Sequence, residues 1–169
     1  NCLYKINSIK LEDEPSFKKG LLFGNGKHSN DFQLFEQMHK EKFSIIETVE
    51  KDLINIMSKA VKSNIFIIDS FFIILGGDSL RHGTEPHHHI TDFDRARNLI
   101  KQKFSLTYYL SIGDQNCSEP GYIKFKDPEE KVLPTKGMIA IFPSNRLHWA
   151  IYGGKTDRVM IGINFYSLI

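Results

Sequence analysis

Three consecutive histidines, His87, His88 and His89, follow Pro86, and His148 lies 59 residues beyond the last of them. On an extended backbone side chains alternate between faces, so His87 and His89 point one way and His88 the other. Two imidazoles on one face, two positions apart, can ligate a single ion. His148, at the head of the strand-like segment 148–152, supplies a third imidazole if two distant strands lie side by side. Three protein ligands that leave other positions open suit non-haem Fe(II), which must take a cosubstrate and oxygen directly. A plainer reading stands beside this one: an isolated histidine is more often structural or exposed, and a run of three also suits a surface turn.

The elements that must position these groups fall into two regions. Over 31–62 the residues Phe35, Met38, Phe43, Ile46, Val49, Leu53, Met57 and Val61 recur every three to five positions. That spacing predicts one or two helices with a single apolar face, which is core packing and not a cofactor box. Asn30-Asp31 offers a cap, after strand-like residues and a turn at Gly24-Asn25-Gly26. From Ile65 to Leu75 the chain is rich in Ile and Phe and reads as strand. Further strand-like segments follow at 104–112, 121–125, 137–142, 148–152 and 158–166, separated by connectors carrying Gly, Pro, Asn and Asp. Many short strands between such turns point to an antiparallel sandwich or barrel. The expected organisation is one domain over 1–169, mainly β, with a helical N-terminal layer (1–64) packed on a β core (65–169).

Bulk composition narrows the classes. Hydrophobic residues make up 41% and charged residues 25% of 169 positions, values ordinary for a soluble globular domain. Net charge is +2 and dispersed, so no nucleic-acid or membrane surface is expected. The longest apolar run, Ile65 to Leu75, is interrupted by Asp69 and Ser70 and is too short to cross a bilayer. Cys2 and Cys117 are too few for a disulfide framework and show no CxxC spacing, so reduced thiols and a cytoplasmic location are expected. No secretory signal is visible.

Four blocks carry a family resemblance. Pro134 to His148 (PTKGMIAIFPSNRLH) resembles the "PKxGxLxxFPSxLxH" stretch of 2-oxoglutarate/Fe(II) oxygenases, nearest to the prolyl-hydroxylase-like and small phage or marine-bacterial types. Arg158 to Phe165 looks like their closing "RxSISFN" strand, Leu106 to Ser111 like "TxxYYLN", and Gly121 to Pro128 like "GGxLxFxDP". The blocks occur in family order, and with the histidine cluster they cover about half the chain; 1–64 carries no comparable signature. The resemblance implies a double-stranded β-helix (jelly roll, cupin-like) and an oxygenase acting on a peptide or small-molecule substrate, with Fe(II) and 2-oxoglutarate as cofactors. It implies His148 as the distal metal ligand. It also implies Arg158 and Tyr109 as partners of the far carboxylate of 2-oxoglutarate, which a guanidinium fork meets in two parallel hydrogen bonds. Without that role, Arg158 reads as a surface-strand ion pair and Tyr109 as a core aromatic.

One departure from the family matters. Its first ligand pair is His-x-Asp or His-x-Glu, whereas this chain offers His87-x-His89, an HxH like that of some small phage-type relatives. Either the ligands are His87, His89 and His148, or a bend brings in Asp92 as the carboxylate, or iron binding has been lost; the two-residue spacing favours the first. A cupin-type metalloprotein, with Asp94 completing an HxH…D…H set, and a non-catalytic jelly-roll binding protein are the competing readings. The segment Ile90 to Lys103 reads as a lid or a plain surface helix. Substrate identity and oligomeric state are not legible.

Overall fold

A computed structural model describes residues 8–10, 22–24, 26–29 and 33–168. Of the expected helical layer over 1–64, residues 34–61 form two helices, α1 (Leu34–Lys40) and α2 (Ile45–Val61), separated by a turn in which Lys42 takes a left-handed φ of 55°, while the described residues before them are mainly strands that join the sheets of the β core. The expected cap at Asn30-Asp31, Asn25 of the expected turn, and Cys2 lie outside the described residues. Ser70 serves the start of α1: its Oγ accepts from the Phe35 N–H at 3.1 Å, a cap supplied by a strand 35 residues away. α2 stops where Lys62 turns left-handed, at φ 54° and ψ 39°.

Eleven strands are described. They are β1 (Ser8–Lys10), β2 (Leu22–Phe23), β3 (Gly26–Ser29), β4 (Asn64–Leu75), β5 (His82–Thr84), β6 (Lys103–Ile112), β7 (Pro120–Phe125), β8 (Glu130–Val132), β9 (Ile139–Pro143), β10 (His148–Tyr152) and β11 (Arg158–Leu168). They form two antiparallel sheets, β1-β3-β4-β11-β6-β9 and β2-β5-β10-β7-β8. Six of these strands coincide with the segments expected from sequence. β5 and β8, three residues each, are too short for any period to register.

Period-two alternation decides what each face of the larger sheet does. Along β11, Val159, Ile161, Ile163 and Phe165 face the helices and pack with Leu34, Leu53 and Met57. Arg158, Met160 and Asn164 face the other way, into a cavity between the sheets. On β4 the same split sends Phe72 and Ile74 to the helices and Phe71, Ile73 and Leu75 inward. The helices thus cover one face, and the site lies against the other. The strand pattern predicted an antiparallel sandwich or barrel, and the two sheets form the jelly roll that the family resemblance implied.

Register supplies a second device. β6 runs antiparallel to β11, with Val159 opposite Ser111 and Met160 opposite Tyr109, so Leu110 is bulged out of the ladder. A bulge shifts the face presented by every residue beyond it. Through it Tyr109, Thr107 and Ser105 turn into the cavity opposite Met160, Gly162 and Asn164.

Candidate metal and diacid site

The cavity offers about 80 Å³ to the centres of water-sized molecules, and both sheets contribute to its wall. At one end stand His87, His89 and His148, whose candidate donor atoms all lie within 4.8 Å of one another. Backbone pairing builds this convergence. His87 N–H donates to the His148 carbonyl at 3.0 Å and His148 N–H donates to the His87 carbonyl at 2.9 Å, an antiparallel bridge. His89 N–H donates to the Ser144 carbonyl at 2.9 Å, tying the segment after the bridge to the end of β9. His88 falls on the opposite side and is exposed.

The ring tautomers follow from these neighbours. His87 Nδ1 lies 2.8 Å from the Glu85 carbonyl, and His148 Nδ1 lies 3.0 Å from the Arg146 carbonyl. A carbonyl only accepts, so both Nδ1 atoms carry the proton and both Nε2 lone pairs are free for an ion. Metal-ligating histidines almost always donate their other ring N–H to an acceptor such as a backbone carbonyl. His89 Nε2 lies 3.3 Å from His148 Nε2. Burial, reinforced by repulsion from the neighbouring histidines, pushes His148 down to about 3 and His89 well below its ordinary value. His87 is lowered by burial too. All three are therefore neutral at ordinary pH, which is the form that ligates.

At the other end Arg158 is 1% exposed, with its guanidinium carbon 5.1 Å from the centre of the Tyr109 ring. Burial pushes its pKa below the ordinary value, and the Tyr109 hydroxyl works in the opposite direction. Nε and Nη2 of Arg158 are buried without a hydrogen-bond partner. A guanidinium does not deprotonate in a protein, so a buried one lacking partners calls for an anion. Among the described residues lining the cavity none is acidic, so none of them supplies that anion, and the cavity suits an anionic ligand there. Gly121, at φ +86°, keeps room for the arginine: a Cβ there would stand 3.1 Å from Arg158 Nε.

Asp92, the alternative carboxylate, points into solvent and lies 3.8 Å from Arg95, outside the histidine group. Asp94, which a cupin-like ligand set would require, is fully buried elsewhere. Lys103 Nζ donates to it at 2.8 Å and the Tyr166 hydroxyl at 2.5 Å. Burial alone would raise the Asp94 pKa, but these donors and Thr91 prevail and hold it at about 2. Asp94 also closes a capping box with Thr91 at the start of α3 (Asp92–Ala96). Within the segment 90–103, read from sequence as a lid or a plain surface helix, only Asp92–Ala96 is helical, and the buried Lys103–Asp94 ion pair ties its two ends together.

Three polar residues of the wall went unnoticed in the sequence. Ser105 Oγ donates to Asn164 Oδ1 at 2.7 Å and lies 2.7 Å from Ser144 Oγ, while Asn164 Nδ2 donates to Asp69 at 2.8 Å. Thr107 is the third, and its Oγ1 is buried without a partner. Their signal was present as polar residues at inward positions of otherwise apolar strands.

This combination of sheets and site defines a jelly-roll chain with a histidine-lined cavity, and solved structures of that architecture match it. No protein-family model matches the chain, and no curated protein matches it by sequence. A 2-oxoglutarate-Fe(II) oxygenase family oxidoreductase from Burkholderia pseudomallei superposes with a TM-score of 0.62 at 10% identity, covering 98% of this chain and 75% of that one. A viral collagen prolyl hydroxylase from Paramecium bursaria Chlorella virus-1 gives 0.55 at 15% identity, over 75% and 74% of the two chains. A predicted oxalate decarboxylase from Thermotoga maritima gives 0.50 at 13% identity, over 98% and 96%. At these identities the likeness establishes the fold, which oxygenases and a decarboxylase share.

Proposed function

We propose that the protein is a 2-oxoglutarate- and Fe(II)-dependent oxygenase. The observation that carries this is the pairing, across one cavity, of three converging neutral imidazoles with a buried arginine that has two unpartnered nitrogens. His87, His89 and His148 would hold the iron. Arg158, stacked on Tyr109, would take the distal carboxylate of 2-oxoglutarate in a charge-assisted pair. Bound iron would supply oxygen activation coupled to oxidative decarboxylation of 2-oxoglutarate to succinate and carbon dioxide. The chain's own part is to orient the diacid between its two anchors and to exclude water with Phe71, Ile73, Ile123, Phe142 and Met160. The fold shared with the viral collagen prolyl hydroxylase supports a peptide substrate, and a small molecule is the alternative. Among the described residues no helix is long and apolar enough to cross a membrane.

The cupin-type alternative shares the fold but gives Arg158 no task and needs Asp94, which is spent on Lys103. Anaerobic titration of the Fe(II)-loaded protein with 2-oxoglutarate separates the two. The weak visible charge-transfer band of the ternary complex is expected for the native chain and should fade in Arg158→Ala. Stoichiometric metal binding without that band would exclude the oxygenase reading.

A further inference from the structure

Among the described residues of the cavity wall, one side-chain atom besides the two nitrogens of Arg158 is buried without a hydrogen-bond partner: Thr107 Oγ1. The residue is 7% exposed. Burying a hydroxyl with nothing to bond to is unfavourable, and valine would fill the same volume without that penalty. The paired positions on the neighbouring strands offer it nothing, being Gly162 on β11 and Ala140 on β9.

Its place in the wall is informative. Inward positions on β6 are Ser105, Thr107 and Tyr109, about 6.6 Å apart at the rise of a strand. Ser105 belongs to the histidine end, because it contacts Ser144, whose carbonyl holds the His89 N–H. Tyr109 belongs to the guanidinium end, where its ring underlies Arg158. Thr107 therefore stands between the two anchors, beside the body of whatever molecule spans them.

We infer that Thr107 is a ligand-binding residue, its hydroxyl donating to an oxygen of the diacid held between the histidines and Arg158. The inference rests on reading the cavity as a 2-oxoglutarate site. It adds a polar contact between the two anchors, and it favours a ligand that carries an acceptor oxygen within the hydroxyl's reach.

Calorimetric titration of 2-oxoglutarate into the Mn(II)-loaded protein tests this without turnover, using native chain, Thr107→Val and Thr107→Ser, with the melting temperature of each metal-free protein as control. Valine is expected to weaken binding by roughly ten- to hundredfold, the range for losing a hydrogen bond to a charged acceptor. Serine should restore it to within a few fold. The metal-free melting temperature should not fall in Thr107→Val, since the lost hydroxyl had no partner. Native-like affinity in Thr107→Val would overturn this inference alone. So would equal loss of affinity in both variants with lowered melting temperatures, which would mark a packing role. Absence of binding to the native chain would overturn it together with the oxygenase reading beneath it.

Discussion

Replacing Arg158 with methionine should make the metal-free protein more stable while abolishing diacid binding. The side chain is 1% exposed, and two of its nitrogens are buried without partners. Each such group costs about 1–3 kcal/mol, and more when charged. Stacking on the Tyr109 ring returns roughly 2 kcal/mol for a desolvated cation. The difference leaves a net penalty of about 2 kcal/mol that methionine, of similar length and apolar, would not incur; replacing buried ionic groups with hydrophobic ones is often stabilising. At roughly 2–4 °C per kcal/mol for a domain of this size, the melting temperature should rise by about 4–8 °C. Thermal denaturation of the metal-free proteins reads the first effect, and calorimetry with 2-oxoglutarate and Mn(II) reads the second. A variant that melts well below the native chain, or one that binds 2-oxoglutarate as tightly, would show that Arg158 is structural and refute the reasoning.

The three histidines are depressed in the folded state, so the unfolded chain takes up protons first: their contribution to metal-free stability is complete above pH ~6.5 and declines as pH falls, for His148 down to about 3. Unfolding free energies from urea titration should fall between pH 6 and 5 with a slope of which His148 alone supplies up to about 1.4 kcal/mol per pH unit, and His148→Gln should lower the slope by about one proton. A hundredfold excess of Mn(II) over its dissociation constant should stabilise the protein by about 2.7 kcal/mol in thermal shift. That gain should vanish in His148→Ala and persist in Asp92→Ala, because Asp92 is exposed. Asp94→Ala strands Lys103 in the interior and should cost about 3–5 kcal/mol by chemical denaturation, with unaltered stability excluding a structural ion pair. Gly162→Ala places a Cβ 2.3 Å from the Phe71 ring and should cost about 1–3 kcal/mol while narrowing the cavity, measurable as weaker 2-oxoglutarate binding.

Much of this architecture was legible because it follows from local periodicity. The stripe from Phe35 to Val61 gave the helical layer, and the apolar run ending at Leu75 gave β4, since both patterns persist over several turns or pleats. The placement of His87 and His89 on one side and His88 on the other followed from alternation in extended chain, even though only His87 enters a bridge. What stayed hidden depends on pairing between distant strands. Nothing in the order of residues announces that Leu110 is bulged, yet that bulge is what turns Tyr109 and Thr107 inward. Likewise the acidic look of the segment after the histidines conceals that Asp94 is buried against Lys103 and Tyr166 while Asp92 is in solvent. Partner choice, and not residue type, separates those two aspartates.

β11 pairs along its length with β4 on one side and with most of β6 on the other, and it carries both Arg158 and Asn164. Both neighbours precede it by dozens of residues, so its pairing closes long loops at an entropic cost. Without β11, β4 and β6 would each present an open edge, the kind of edge that invites pairing with another copy of the chain. Arg158 thus sits on the same element that closes the sheet, so any diacid held by it would favour the closed sheet by mass action.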